Sequence, residues 1–337
     1  MSIVNTFSLQ SNRQIKINFD GGDLSSDAGL LLIKEFISKL GIERLLNRSF
    51  KTNDSAVFRY HTDRDNLLQM IYMIMAGYFE DDASDELTKD PIFFNRMDED
   101  TLKQFQEISQ ILRKRIYSIQ MPQAVILDLA STLLAAYGKQ EGRAFNFHYR
   151  SNGYHPLVCY DGITGDLIKI QLRDGAAYSC TGVTDFLQPI LDEYLNDYPT
   201  IHLLLRGDSG FATPDLYKQC EENGTSYVIR LMENFIKESK SGFDFSAVSS
   251  HNRIVNANRV QVHALAYNIF NWFRRLVLSA KMRKQRIDTV RLKLLKIATK
   301  VVHSARYITF KLCSSCPYKE EFYDTLSAIG KLNVQLE

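Results

Sequence analysis

The segment Leu203-Leu204-Leu205-Arg206-Gly207-Asp208-Ser209-Gly210-Phe211 constrains the fold of this chain more than any other. An apolar run that ends in a carboxylate set among glycines reads as a buried strand carrying Asp208 to its C-terminal lip. A helix follows, with Thr213 as its N-cap, Pro214 at the first helical position and Gly224 just past its end. Ser226–Leu231 reads as the next strand. Strand, helix and strand in this order build a parallel sheet, and ligand chemistry in such sheets gathers at the carboxyl ends of the strands. Asp208 then stands where a metal ligand belongs. Alternatively, Gly-Asp-Ser-Gly is a tight turn closed by an Asx bond.

Upstream, residues 14–20 alternate polar and apolar as a short strand does, and Gly21-Gly22 turns the chain. Ser25, Ser26 and Asp27 are expected to cap a helix through Leu30–Ile37. Further helices are expected over Asp63–Phe79 and Thr101–Tyr117. Between them lies an acidic stretch, Glu80 to Asp90, that lacks the spacing and glycine of a calcium loop. Near residue 120 the period changes. Ala124–Leu129 reads as a buried strand with Asp128 near its end. Phe145, Phe147 and Tyr149 alternate with polar residues as a second strand, and His155–Asp161 and Leu167–Leu172 form a hairpin about Gly162–Gly165. Thr184–Leu195 is a helix. Beyond residue 250 the pattern predicts long helices over Asn256–Leu278 and Lys281–Val301.

Charge divides the chain. Residues 251–337 hold 16 Lys/Arg against 5 Asp/Glu, a balance of +11, whereas the remaining 250 residues carry −9. A basic tail on an acidic body suggests a polyanion partner beside a metal site, although a solvated helix face has the same composition. No signal peptide opens the chain and no apolar run reaches membrane-spanning length. Five scattered Cys fit a reducing, cytoplasmic setting. Cys313-Ser-Ser-Cys316 has the spacing of half a zinc site without a second half. His148, His155 and His303 have no metal spacing and read as structural.

The order of strands joined by short connections, helix, acid-bearing strand, helix and strand matches a ribonuclease H-like mixed sheet flanked by helices. Acids on its first and fourth strands can hold a pair of Mg²⁺ ions about 3.5–4 Å apart for in-line attack on a phosphodiester. The motifs then resemble those of the DDE transposases of bacterial insertion sequences. Asp208 in Leu-Arg-Gly-Asp-Ser-Gly-Phe resembles the second acid of that family, and Glu233 in Glu-Asn-Phe-Ile-Lys-Glu resembles the third. Tyr227, Arg230, Glu233 and Lys240 approximate its Tyr-Arg-Glu-Lys signature. Ser25-Ser26-Asp27-Ala28-Gly29 and Gly77-Tyr78…Asp90-Pro91 look like one branch of it.

The resemblance implies catalytic and metal-binding roles for Asp128, Asp208 and Glu233, with Mg²⁺ or Mn²⁺ as cofactor. Its implied partner is double-stranded DNA at the terminal inverted repeats of an element, engaged by a homodimer in a nucleoid-associated synaptic complex. It divides the chain into a mostly helical DNA-binding module (1–120), a catalytic core (121–250) and a basic helical region (251–337). Arg274, Arg275, Arg283, Lys284, Arg291 and Lys296 are the expected phosphate contacts.

Two departures qualify the activity. In Leu127-Asp128-Leu129-Ala130-Ser131-Thr132 the phase of the family's first acid falls on Ala130, and Asp128 lies about 6–7 Å back along the same strand face. The 25 residues from Asp208 to Glu233 are fewer than the family has, and the strand at Ser226–Leu231 runs into the expected helix without the usual loop of about 2–6 residues. Both point to an internally deleted, inactive copy, whether as a defective transposase or as a DNA-binding remnant. An unrelated metal-dependent nuclease on the same fold is a third reading.

Overall fold

The computed structural model describes residues 6–21, 26–54, 60–78, 94, 96–229, 242–245, 248–304 and 306–335. The chain opens with strands β1 (Phe7–Ser8) and β2 (Ile15–Gly21) and helices α1 (Leu30–Lys39), α2 (Ile42–Ser49), α3 (Asp63–Ala76) and α4 (Glu99–Ile119). Strong caps fix the last two: Thr62 and Asp65 form a capping box on α3, and Asp98 and Thr101 do so on α4. The start of α1 differs from expectation. It begins at Leu30 behind Gly29, with no side-chain cap. The amides of Ala28 and Gly29 instead donate to the carbonyls of Ile297 and Leu295, far along the chain.

The central element is a five-stranded sheet. Its members are β3 (Ala124–Ser131), β7 (Leu157–Asp161), β8 (Leu167–Gln171), β9 (His202–Gly207) and β10 (Ser226–Ile229), in the order β10-β9-β3-β7-β8. β3, β9 and β10 run parallel, while on the other side of β3, β7 pairs antiparallel with β3 and β8 antiparallel with β7. This is the ribonuclease H-like order that the sequence pattern implies. Between β3 and β7 the chain inserts a small sheet of β4 (Leu134–Ala135), β5 (Ala144–Asn146) and β6 (Ser151–Tyr154). The strand expected over Phe145–Tyr149 stops at Asn146, because the Asn146 side-chain oxygen accepts the amides of His148 and Tyr149 and turns the backbone away.

Helix α5 (Val183–Asp197) joins β8 to β9, and α6 (Pro214–Glu222) joins β9 to β10. Thr213 caps α6 with Pro214 in its first turn, and Gly224 at φ +63° follows its end, as the sequence predicts. Helix α7 (Arg253–Val277) packs on α3, α4 and β8 and is buried along most of its length. It also closes the β8 edge: the Asn268 amide accepts from Leu167 N and donates to Leu167 O, both at 2.8 Å, and Gln261 donates to Ile170 O. A side chain thus replaces the missing strand partner.

After α7 the structure departs from the expected helix over Lys281–Val301. It forms short helices α8 (Ala280–Arg283) and α9 (Ile287–Val290), a π-type turn at Arg291–Leu295, and then β11 (Thr299–His303), β12 (Ile308–Cys313) and α10 (Lys319–Lys331). The apolar stripe Ile287, Val290 and Leu294 is buried as its spacing requires. Past Lys296, however, the β-branched run at Thr299, Val301 and Val302 pairs better as a strand. β12 lies parallel to β2, so the two ends of the chain share one four-stranded sheet, β1-β2-β12-β11. Among the described residues no helix is long and apolar enough to cross a membrane.

Candidate active site and DNA-facing surface

The lip of the five-stranded sheet is built by register. β3 and β9 pair in parallel with Asp128 level with Arg206 and Leu129 level with Gly207. One residue further on, Ala130 comes level with Asp208, whose backbone is still extended at φ −77° and ψ 176°. Asp208 stands half-buried at the end of its strand, and its Oδ1 accepts the amide of Gly210 at 2.7 Å. The Asx turn and the carboxylate on the lip are therefore the same object: one oxygen closes the turn and the other is left to the site.

Asp128 is placed differently. It shares the half-open face of β3 with Ala130. Both its oxygens accept from the Arg206 guanidinium, Oδ1 from Nε at 2.9 Å and Oδ2 from Nη2 at 2.5 Å. That bond makes the Arg206 guanidinium still harder to deprotonate. Gly162 clears the space: a Cβ there would lie 2.8 Å from Arg206 Nη2. A carboxylate that fills a two-pronged ion pair has little left to give a metal, and it lies two residues short of the lip.

The rest of the lip is contributed by β7 and by the loop before α5. Ser131 Oγ and Ser179 Oγ lie 2.9 Å apart. A Cβ on Gly210 would meet Ser179 Cβ at 3.0 Å, so the loop lies against the Asp208 turn. His155 fixes the same loop through Nδ1 and the Ala177 carbonyl at 2.7 Å, and burial pushes its pKa down. Arg173, itself buried, donates Nε to His155 O and Nη1 to the carbonyls of Ser179 and Thr181. His148 is exposed and its ring packs edge-on against Tyr149; among the described residues neither it nor His303 belongs to a metal-ligand group.

Glu233, Arg230 and Lys240 lie outside the described residues. Among the described residues no three His, Cys, Asp or Glu side chains converge as a metal site. On the described part of the lip, Asp208 is the carboxylate left to a metal.

The expected phosphate contacts separate by environment. Arg291 is buried at 4% exposure. Its Nε donates to Met75 O at 2.8 Å, and its Nη2 to Ile74 O at 2.9 Å and Gly242 O at 2.6 Å. That guanidinium closes the C-terminal carbonyls of α3 and is out of reach of a phosphate. Arg275 is half-buried against Asp166, with Nη2 2.6 Å from Oδ2. Arg274 donates to Asn271 Oδ1. Arg283 and Lys284 are exposed, and Lys296 reaches Asp27 at 3.6 Å across the face of the Tyr78 ring. A feature invisible in the sequence links these last residues. Tyr78 donates to Asp27 Oδ2 at 2.5 Å, and Ser26 Oγ donates to the same oxygen, so Ser26-Asp27 and Tyr78, far apart in the chain, meet in one polar cluster. Cys313 and Cys316 are free thiols across a turn closed by the Cys316 amide and the Cys313 carbonyl.

No curated protein matches the chain. The chain is similar in part to two solved structures. One is the piggyBac transposase synaptic complex with hairpin DNA, at 14% identity over 60% of this chain and 50% of that one, with a TM-score of 0.28. The other is the Mos1 transposase paired-end complex with the left transposon end, at 11% identity over 73% of this chain and 86% of that one, with a TM-score of 0.24. The chain thus spans half the length of the piggyBac chain it matches. The family model described as "Transposase DDE domain group 1" matches residues 7–96, 93–232 and 231–334, and over that span the chain belongs to the DDE-domain transposases.

Proposed function

We propose that this chain is a DNA-binding transposase that has lost strand cleavage. The family carries out polynucleotidyl transfer and generally uses divalent metals; the finer reading concerns this copy. The observation that carries it is the register of β3 on β9: the residue level with Asp208 is Ala130, and Asp128 is held back by Arg206. Two-metal phosphoryl transfer depends on positioned carboxylates, because most of the acceleration is placement and charge stabilisation. With an alanine at that register Asp208 has no partner acid on β3, and Asp128 cannot move forward about 6–7 Å on one methylene. In this reading Asp128 positions Arg206 rather than a metal, Asp208 is the retained acid, and Glu233 is the third acid of the ancestral set. The 25 residues from Asp208 to Glu233, fewer than the family has, are what support an internal deletion of the ancestral insertion-sequence enzyme.

DNA binding is assigned to the outer regions, 1–120 and 251–337, with residues 121–250 as the former catalytic core. Double-stranded element ends, engaged by a homodimer, are the ligand. Arg283, Lys284 and Lys296 are the remaining phosphate contacts, so affinity should fall steeply with salt. The test is strand cleavage of a cognate element end with Mg²⁺ or Mn²⁺ by this chain and by Ala130→Asp. The chain as it stands should bind without cutting. Cleavage by it that Asp208→Ala abolishes would overturn the proposal. Cleavage gained by Ala130→Asp alone would trace the loss to the missing acid and not to the deletion.

A further inference from the structure

The insert between β3 and β7, together with the loop between β8 and α5, exposes more aromatic surface than a folded chain needs. Phe147 is 86% exposed, Tyr137 82% and Tyr178 80%, and Phe145 is 43% exposed. Scattered single aromatics need no explanation, but a group of four on neighbouring segments does. The Asn146 amide donates to Gly175 O at 2.9 Å and so ties the Phe145–Phe147 turn to the loop carrying Tyr178. That loop is tied in turn to the lip: Ala177 O meets His155, and Ser179 packs against Ser131 and the Gly210 turn of Asp208. The Phe145 and Phe147 rings stand edge to face at 5.2 Å. Phe145, Phe147 and Tyr178 therefore stand on segments that hydrogen bonds anchor to the Asp208 lip.

The charges around them match one kind of ligand. Arg150 and His148 are exposed on the same turn, Lys139 is exposed beside Tyr137, and residues 144–155 contain no acid; the exposed acids on the flanking segments, Glu141 and Asp174, are both engaged by Arg253. Bare aromatic faces interleaved with cations suit nucleobases on a phosphate backbone, since every base has a π-face and each stacked base contributes on the order of 1–3 kcal/mol. A paired base in a duplex shows no free face, whereas an unpaired one does. Resting on the DNA-binding reading above, we propose that Phe147 and Tyr178, flanked by Phe145 and Tyr137, form a stacking platform for unpaired bases of a DNA strand end at the Asp208 lip. Arg150 and Lys139 hold its phosphates.

The test compares a blunt duplex with the same duplex carrying an unpaired tail of about four nucleotides, a fluorescent purine analogue occupying the first unpaired position. The full chain should bind the tailed DNA about tenfold tighter than the blunt one and quench the analogue. In Phe147→Ala and Tyr178→Ala the ratio should fall towards one and the quenching should vanish. Phe147→Trp should keep both, as should Tyr60→Ala, which removes an equally exposed ring elsewhere. Equal binding of blunt and tailed DNA by the unaltered chain, or quenching that survives both alanine variants, would overturn the platform while leaving DNA binding intact. Failure to bind either DNA would remove the DNA-binding reading and the platform with it. A change in oligomeric state in Phe147→Ala, with the ratio preserved, would make the patch a protein interface and refute the proposal.

Discussion

Replacing Arg291 by Met separates a structural guanidinium from a phosphate contact. Methionine keeps much of the apolar stem and removes three donated hydrogen bonds, to Met75 O, Ile74 O and Gly242 O at 2.6–2.9 Å. It also removes the guanidinium from above the Phe243 ring. Hydrogen bonds from a charged donor contribute roughly 1.5–3 kcal/mol each, but burying the guanidinium costs several kcal/mol in return. The ion pair to Asp288 adds little, because that carboxylate is 78% exposed. The carbonyls left behind at the end of α3 are buried, so the net loss should be about 3 kcal/mol. At about 2 cal/mol/K of unfolding entropy per residue, a chain of this length unfolding as one unit should lose roughly 4 °C in Tm. The assay is thermal unfolding beside duplex-DNA affinity measured across a salt series. The expected result is a lower Tm with an unchanged salt slope. An unchanged Tm with a slope reduced by about one would refute the reasoning and return Arg291 to the DNA-binding surface.

Gly29→Ala should destabilise by about 3 kcal/mol or prevent folding, since its Cβ would lie 1.6 Å from Leu294 O in the backbone of another segment. Urea unfolding of the variant checks this, and a midpoint equal to that of the unaltered chain would disprove the close approach. For pH, burial depresses the folded pKa of His263, whose Nδ1 pairs with the carbonyl of Phe243, below its unfolded value. The unfolded chain then takes up the proton first, so this stability is present above about pH 6.5 and is lost as pH falls through the folded pKa. Tm should fall between about pH 7.5 and 5.5, and less so in His263→Asn; parallel pH profiles for the two would count against it.

The sequence determined the central sheet because its information is local and periodic. Apolar runs at Ala124–Leu129 and Leu203–Leu205, the Thr213-Pro214 start and the Gly224 end each specify their element without outside help. The same is true of Asp208, since a carboxylate after a buried strand has to emerge at the lip. Phe145–Tyr149 misled because an Asn side chain can outbid a strand ladder for two amides. Lys281–Val301 misled because the stripe at Ile287, Val290 and Leu294 is buried equally well by short turns, and Thr299–His303 folds back as a hairpin with Ile308–Cys313, a strand that pairs with β2 from the far end of the sequence. Tertiary structure alone decided the fates of the charged groups. Whether Asp128 faces a metal or Arg206 depends on the register of β3 against β9, and whether Arg291 faces solvent or the end of α3 depends on how α3 packs. A charge on a helical stripe looks the same in sequence in either case; its partner is set by which segments the fold brings within hydrogen-bonding distance.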